Sequence, residues 1–318
     1  MEKISLIIPF YNGSKYIKDA IRSAINQTLP FHEIIVVNDG SNEKETNLIE
    51  ELSAQYKLIY KSKKNGGQGS ARNTGAMISQ SQYLCFLDQD DILLPEHNQI
   101  LIEGIKQKPN YMQGVVYANF CRAEADGVII SRMSRPKNRL IDLHNRTIYS
   151  FLSQDIHVLP SAMILLKSTF IDVDGFDEQF RGYEDDDLLL RIFLRGYHIT
   201  YVDREVYVWR SHGNQTTNSE VMMNSRLHYI NKWCDYLYNT SVDIRKVRMS
   251  LYKRFRSTIY HDLVKASSLS EYILANTIAQ IFYSKFLDLH GLNYRVKFFY
   301  RKIISSKKWN KLYTYSEK

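Results

Sequence analysis

The chain has 318 residues, 44% of them hydrophobic and 24% charged, a globular composition long enough for a catalytic domain and one further module. No run approaches the roughly 18 uncharged apolar residues of a membrane span, and the start "MEKISLIIPFYN" breaks at Pro9 and Asn12 without a signal-peptide cleavage pattern, so a soluble, unsecreted protein is expected. Three widely spaced cysteines, Cys85, Cys121 and Cys234, suggest neither a disulfide framework nor a zinc site and are expected to be ordinary thiols of a reducing cytoplasm.

The net charge of +8 is unevenly placed: residues 220–318 hold 18 Lys and Arg against 7 Asp and Glu, whereas residues 1–219 are slightly acidic. All six prolines and 13 of the 14 glycines lie at or before Gly213. A turn-rich first module, residues 1–218, and a basic helical second one, residues 219–318, follow from these two shifts.

In chain order, "ISLIIPF" reads as a buried strand, and Ser14 is a suitable N-cap for a helix with Ile17, Ala20, Ile21, Ala24 and Ile25 on one face. "EIIVVNDGS" and "KLIYKS" are the next strands, "GSARNTGAMIS" opens a helix after the glycine-rich "NGGQG", and "YLCFLD" is a fourth strand, followed by a helix that Pro95 starts. "VVYANFCRAEADGVIISRM" has the form of a hairpin turning at Asp126 and Gly127, "RPKNRL" reads as a loop, and "EVYVW" is strand-like. In the basic module Ile244, Val247, Leu251, Phe255, Ile259 and Leu263 trace a helical stripe, with Lys246, Arg248, Lys253, Arg254 and Arg256 mostly off it. Alternating strands and helices imply an α/β fold, a mainly parallel sheet covered by helices, with ligands beyond the carboxyl ends of the strands.

The acids lie at those ends. In "FLDQDD", Asp88 and Asp90 at i, i+2 would share a face of an extended chain, and two carboxylates with substrate phosphates are how Mg²⁺ or Mn²⁺ is commonly held; a solvated acidic turn is the plainer alternative. Asp39 could accept a base N–H or merely form an Asp-Gly turn, and Arg72 beside a loop and helix start suits an anionic nucleotide. The P-loop lysine and the dinucleotide-binding glycine spacing are missing. A second cluster, "GFDEQFRGYEDDDLLLR", holds six acids, of which some favour a helix start and one could act as general base. "VWRSHGNQT" places Arg210 and His212 past a strand, where the histidine is either structural or a metal ligand.

Together "SLIIPFYNGSKYIKDAIRSAINQT", "EIIVVNDGS", "NGGQGSARNTG", "YLCFLDQDD" with Pro95, "VDGFDEQF", "YEDDDLLLR" and "WRSHGNQT", from about Ile4 to Thr217, resemble the family 2 glycosyltransferases of the GT-A fold. The resemblance implies a Rossmann-like catalytic domain and an inverting transfer from a nucleoside-diphosphate sugar, usually UDP-linked, with Mn²⁺ or Mg²⁺. Carried over by position, Pro9, Asp39, Arg72, Asp88, Glu184 and Arg210 contact substrate, Asp90, Asp88 and His212 take the metal, and Asp91 supports them. Asp185 matches the base, with Asp186 its competitor. His157, Pro160 and Ser161, ahead of the base motif, are candidate acceptor-side residues.

The acceptor class is a glycan or lipid-linked glycan, the setting surface polysaccharide or glycoconjugate synthesis, and the place the cytoplasm or the inner face of the cell membrane. A non-catalytic nucleotide-sugar-binding module is the rival reading. No recognised nucleic-acid motif appears, so no nucleic-acid partner is expected. The basic helices suit either an anionic membrane surface or packing against the catalytic domain or a second subunit, and both readings stay open.

Overall fold

The computed structural model describes residues 2–107, 113–132, 147–213 and 220–268, together with Lys285. The "RPKNRL" loop, the hydrophobic position Leu263 as a side chain, and the end of "WRSHGNQT" fall outside the described parts. The chain divides into two compact units, one of Met1–Arg146 with Ile156–Asn218, the other of Thr147–Asp155 with Ser219–Lys318. The sequence division assigns Thr147–Asp155 to the first module; in the structure this stretch, with the short helix α5 (Ile148–Leu152), is part of the second unit.

The first unit begins with β1 (Ile4–Phe10), buried along its whole length because the apolar run has a sheet neighbour on either side and helices on its faces. It pairs in parallel with β2 (Glu33–Asn38) and β4 (Tyr83–Phe86), and β2 pairs with β3 (Ile59–Ser62). Helices α1 (Ile17–Ile25), α2 (Glu43–Tyr56) and α3 (Gln68–Ile78) connect them. Helix α1 has no side-chain cap: a turn of Tyr16 and Ile17 N–H on the Gly13 carbonyl starts it, and Ser14 instead bonds the Glu45 carboxylate through both N–H and hydroxyl.

The sheet then changes direction. β8 (Met163–Leu166) lies antiparallel to β4 and to β6 (Gln113–Ala123), β6 runs parallel to β9 (His198–Arg210), and the short β5 (Ile92–Leu93) closes that edge. The order is β3-β2-β1-β4-β8-β6-β9-β5, with β7 (Ile129–Arg132) paired to β6 as the expected hairpin around Gly127. Helix α4 (His97–Lys106) covers the second half, and α6 (Lys167–Asp172) and α7 (Glu184–Leu194) follow β8.

Close approach of α3 to the sheet depends on Gly75, where a Cβ would come within 2.4 Å of an Ile7 methyl. Gly75→Ala is therefore expected to cost about 1–3 kcal/mol by overpacking, read as a lower denaturation midpoint with an unchanged denaturant slope.

In the second unit, α9 (Ile244–Ser268) packs against both α8 (Glu220–Tyr238) and α5. Val247, Leu251, Phe255 and Ile259 of the predicted stripe are buried, and Tyr229 of α8 meets Phe255 edge-on at 5.9 Å. The stripe is thus core, while Arg245, Lys246, Lys253 and Arg256 are exposed.

Candidate active site

The parallel strands β1, β2 and β4 end in the same direction, so the chain segments that follow them meet at one edge of the sheet. Asp39 follows β2 and is buried. Its Oδ1 accepts from Lys63 Nζ (3.0 Å) and the Gly66 N–H (2.9 Å), and its Oδ2 accepts from the Gly67 N–H (2.7 Å). The carboxylate thereby fixes the glycine loop that caps α3. Gly67 has φ +87°, a left-handed backbone that favours glycine.

The acids after β4 do not form an extended pair. The Asp91 N–H bonds the Asp88 carbonyl at 3.1 Å, so Asp88 to Asp91 make a turn, and the shared-face argument for i, i+2 does not apply. The turn is held on several sides. Gln89 clasps the Tyr11 backbone, with Oε1 accepting from its N–H and Nε2 donating to its carbonyl, and Ser161 Oγ accepts the Asp88 N–H. Ser161 is buried beneath the turn and supports it. Asp91 is also buried, accepting from the Arg210 N–H at 3.1 Å; burial, then the charges of Asp88 and Asp90, push its carboxyl well above the usual range.

Asp90 Oδ2 lies 2.7 Å from His212 Nε2, and the imidazole stacks on Tyr16 with ring centroids 4.9 Å apart. Burial, followed by the nearby Asp88, raises the Asp90 carboxyl, while His212 opposes the shift. Arg210 sits behind this pair: its Nη2 donates to Asp19, its guanidinium carbon is 4.9 Å from the Tyr16 ring centre, and it is buried. Tyr16 thus orders both Arg210 and His212, a role that no spacing in the sequence signals. Pro9 is buried inside β1 opposite Val37.

The second acid cluster forms the first turn of α7. Tyr183 enters that helix with φ +66°, an uncommon left-handed conformation for a non-glycine residue. Of the four acids that follow, Glu184, Asp186 and Asp187 are buried and Asp185 alone is partly exposed. Asp187 pairs with Arg191 one turn on, and Glu184 accepts from Arg72. Burial, followed by the charges of Glu184 and Asp186, pushes the Asp185 carboxyl well above the ordinary range.

Arg72 joins the two clusters. From α3 its Nη2 donates to Asp88 Oδ1 (2.6 Å) and its Nη1 to Glu184 Oε1 (2.9 Å), with the side chain 2% exposed. Burial disfavours its charge, but the Asp88 and Glu184 carboxylates outweigh that and keep the guanidinium protonated. Gln68, exposed at the start of α3, also donates to Asp88 Oδ1 at 2.7 Å. Asp88 therefore makes both of these bonds through Oδ1.

A sheet of this order, with carboxylates gathered where its parallel strands end, is a GT-A fold, and the family match makes the chain a glycosyltransferase. The chain belongs to glycosyltransferase family 2, which it matches over residues 5–171, just over half its length; residues 160–212 also match the family described as the N-terminal domain of galactosyltransferase. It is 30% identical to an uncharacterized glycosyltransferase of Rickettsia prowazekii (strain Madrid E), covering 96% of this chain and 97% of that one. It is 23% identical to the glycosyltransferase GlyG of Streptococcus pneumoniae, covering 82% of this chain and 91% of that protein. The crystal structure of S. aureus TarS 1-349 in complex with UDP-GlcNAc superposes with a TM-score of 0.68 at 18% identity, covering 96% of this chain and 89% of that one.

Proposed function

We propose that this glycosyltransferase moves a hexosyl or N-acetylhexosaminyl group from a UDP-linked donor to a hydroxyl of a glycan or lipid-linked glycan, with inversion at the anomeric carbon. The observation that carries the reading is the pairing of two carboxylate clusters, the Asp88 turn and the start of α7, across a single buried arginine. The structural likeness to TarS, crystallised with UDP-GlcNAc, supports a uridine donor.

In this reading the acceptor oxygen forms a bond to the anomeric carbon, the bond from that carbon to the diphosphate oxygen breaks, and its electron pair leaves with UDP. Asp185 takes the hydroxyl proton. Its partial exposure, against the burial of Asp186 and the pairing of Glu184 and Asp187, supports it over its neighbours. Asp39 and the glycine loop bind the nucleotide, with Pro9 in the strand beside it.

Family 2 enzymes commonly use divalent metals. Asp90 Oδ2 and His212 Nε2 lie 2.7 Å apart, and the Asp88 and Asp90 carboxylates are of the type that suits Mn²⁺ or Mg²⁺, although no three such side chains form a ready-made metal group among the described residues. Asp88, Asp90 and His212 would hold the ion, which as a Lewis acid would stabilise charge on the departing diphosphate. Arg210 then acts from behind, through the Asp91 contact, more than on substrate directly. We place the reaction in surface polysaccharide or glycoconjugate synthesis, in the cytoplasm or at the inner membrane face, with the exposed cations of α9 as the membrane contact.

The test is release of UDP or GDP from a panel of nucleotide sugars with Mn²⁺ and then EDTA, comparing wild type with Asp90→Ala. One donor is expected to be turned over, with EDTA or the substitution lowering the rate by about tenfold or more. The same substitution is expected to abolish the rise in melting temperature that Mn²⁺ gives the wild-type protein. Calorimetric UDP binding without turnover of any donor or acceptor would favour the non-catalytic binding module.

A further inference from the structure

We infer that Arg72 and Asn73 of α3 are a positioning pair that ties the Asp88 turn to the segment carrying Asp185, so that the donor and acceptor halves of the site keep one geometry. This rests on the reading of those two acids given above. The segment from Phe176 to Glu184 is irregular and bears the start of α7, and it is held at both ends by neighbouring residues of one helix. At its beginning the Asn73 amide makes a two-point clasp on Phe176, Nδ2 donating to the carbonyl and Oδ1 accepting the N–H, both at 2.8 Å; Nδ2 also reaches Glu178 Oε1 at 3.1 Å. Gly175, with φ +59°, makes room for this, since a Cβ there would lie 2.7 Å from Asn73 Oδ1. At its end Glu184 is held by Arg72.

The apolar contacts run along the same line. The Phe176 ring lies 5.3 Å beneath the Arg72 guanidinium and meets Phe86, the last residue of β4, edge-on at 5.2 Å. Gly69 lets α3 sit directly on the segment, its Cβ position being 3.3 Å from Phe176 Cβ and 3.7 Å from Glu184 Cγ. The guanidinium spans two acids 96 residues apart in sequence, which a planar fork can do and a single ammonium cannot. Its buried Nε makes no hydrogen bond among the described residues, a cost that the bridging orientation accounts for.

The experiment is hydrogen–deuterium exchange on the full chain without ligand, for wild type, Asp88→Asn, Arg72→Met and the double variant. Asp88→Asn is expected to speed exchange in peptides covering 176–190 by about threefold or more, and to add nothing in the Arg72→Met background, because the effect passes through that side chain. An Arg72 that merely fills space would leave 176–190 unmoved by Asp88→Asn, or the two effects would add, and either result overturns the inference. Should Arg72→Met not fold, Arg72→Lys takes its place and, since one ammonium cannot span both acids, should likewise remove the coupling. Asn73→Ala is expected to lower kcat about tenfold with the donor KM unchanged; a raised KM with an unaltered kcat counts against positioning. Failure of wild type to bind UDP would remove the proposed function, whereas the exchange coupling is measured independently of it.

Discussion

Asp185→Asn is expected to lower the transfer rate by about 10²–10⁴-fold and, at neutral pH, to raise the melting temperature. The two effects have one cause. Burial and the charges of Glu184 and Asp186 make the Asp185 carboxyl hold its proton well above the ordinary carboxylate range. The native state therefore binds that proton more tightly than the unfolded chain. Its stabilising contribution is present below the unfolded chain's carboxylate range and is lost as pH rises through the native value. At neutral pH the folded protein carries an unfavourable carboxylate, and asparagine removes the repulsion together with the base. The kinetic consequence has the matching sign: the base must be ionised, so the acid limb of kcat should lie higher than for an ordinary aspartate. Rates and thermal scans of both proteins from pH 5 to 8 check this. A wild-type rate in Asp185→Asn would reject the assignment, and Asp186→Asn would then be the variant to measure.

The parts of this structure that the sequence reveals are those set by local pattern. β1, β2 and β4 are short apolar runs with polar residues at or within two positions of their ends, and their carboxyl ends are where Asp39 and Asp88 lie. The other half of the sheet is legible only in part: the β6–β7 hairpin and the "EVYVW" end of β9 read as strands, and the rest does not. β5 is two residues, β8 is the four residues "MILL", and β9 runs through the charged "VDRE", which shows no alternation because its register slips against β6. At the site, residue types are legible but their partners are not. "DQDD" announces acids without disclosing the turn that orients them, and "SARN" announces a cation without showing that its two partners come from separate segments. Such bridges are set by tertiary packing, as is the placement of Ser161 below the turn and of Tyr16 against His212. The α9 stripe was legible as apolar, but whether it faces lipid or core depended on α5 and α8.

Arg72→Met should destabilise the protein by about 3 kcal/mol, a large fraction of the roughly 5–15 kcal/mol of a folded domain. The methionine keeps the length and packing of the side-chain stem, so little cavity forms and the effect is electrostatic. What remains is Glu184, with its side chain 8% exposed, now without its cation, and Asp88, 28% exposed, retaining Gln68. Water can reach Asp88 and soften its share, whereas Glu184 has another buried oxygen, Oε2, that already lacks a partner. The burden therefore falls on Glu184, and Arg72→Met combined with Glu184→Gln should recover a good part of the loss, while Arg72→Met with Asp88→Asn should recover less. Denaturant unfolding of the four proteins measures this directly. A loss below about 1 kcal/mol for Arg72→Met would place the pair in the range of solvent-screened surface bridges, and equal recovery from the two second substitutions would mean that the guanidinium divides its support evenly between the acids.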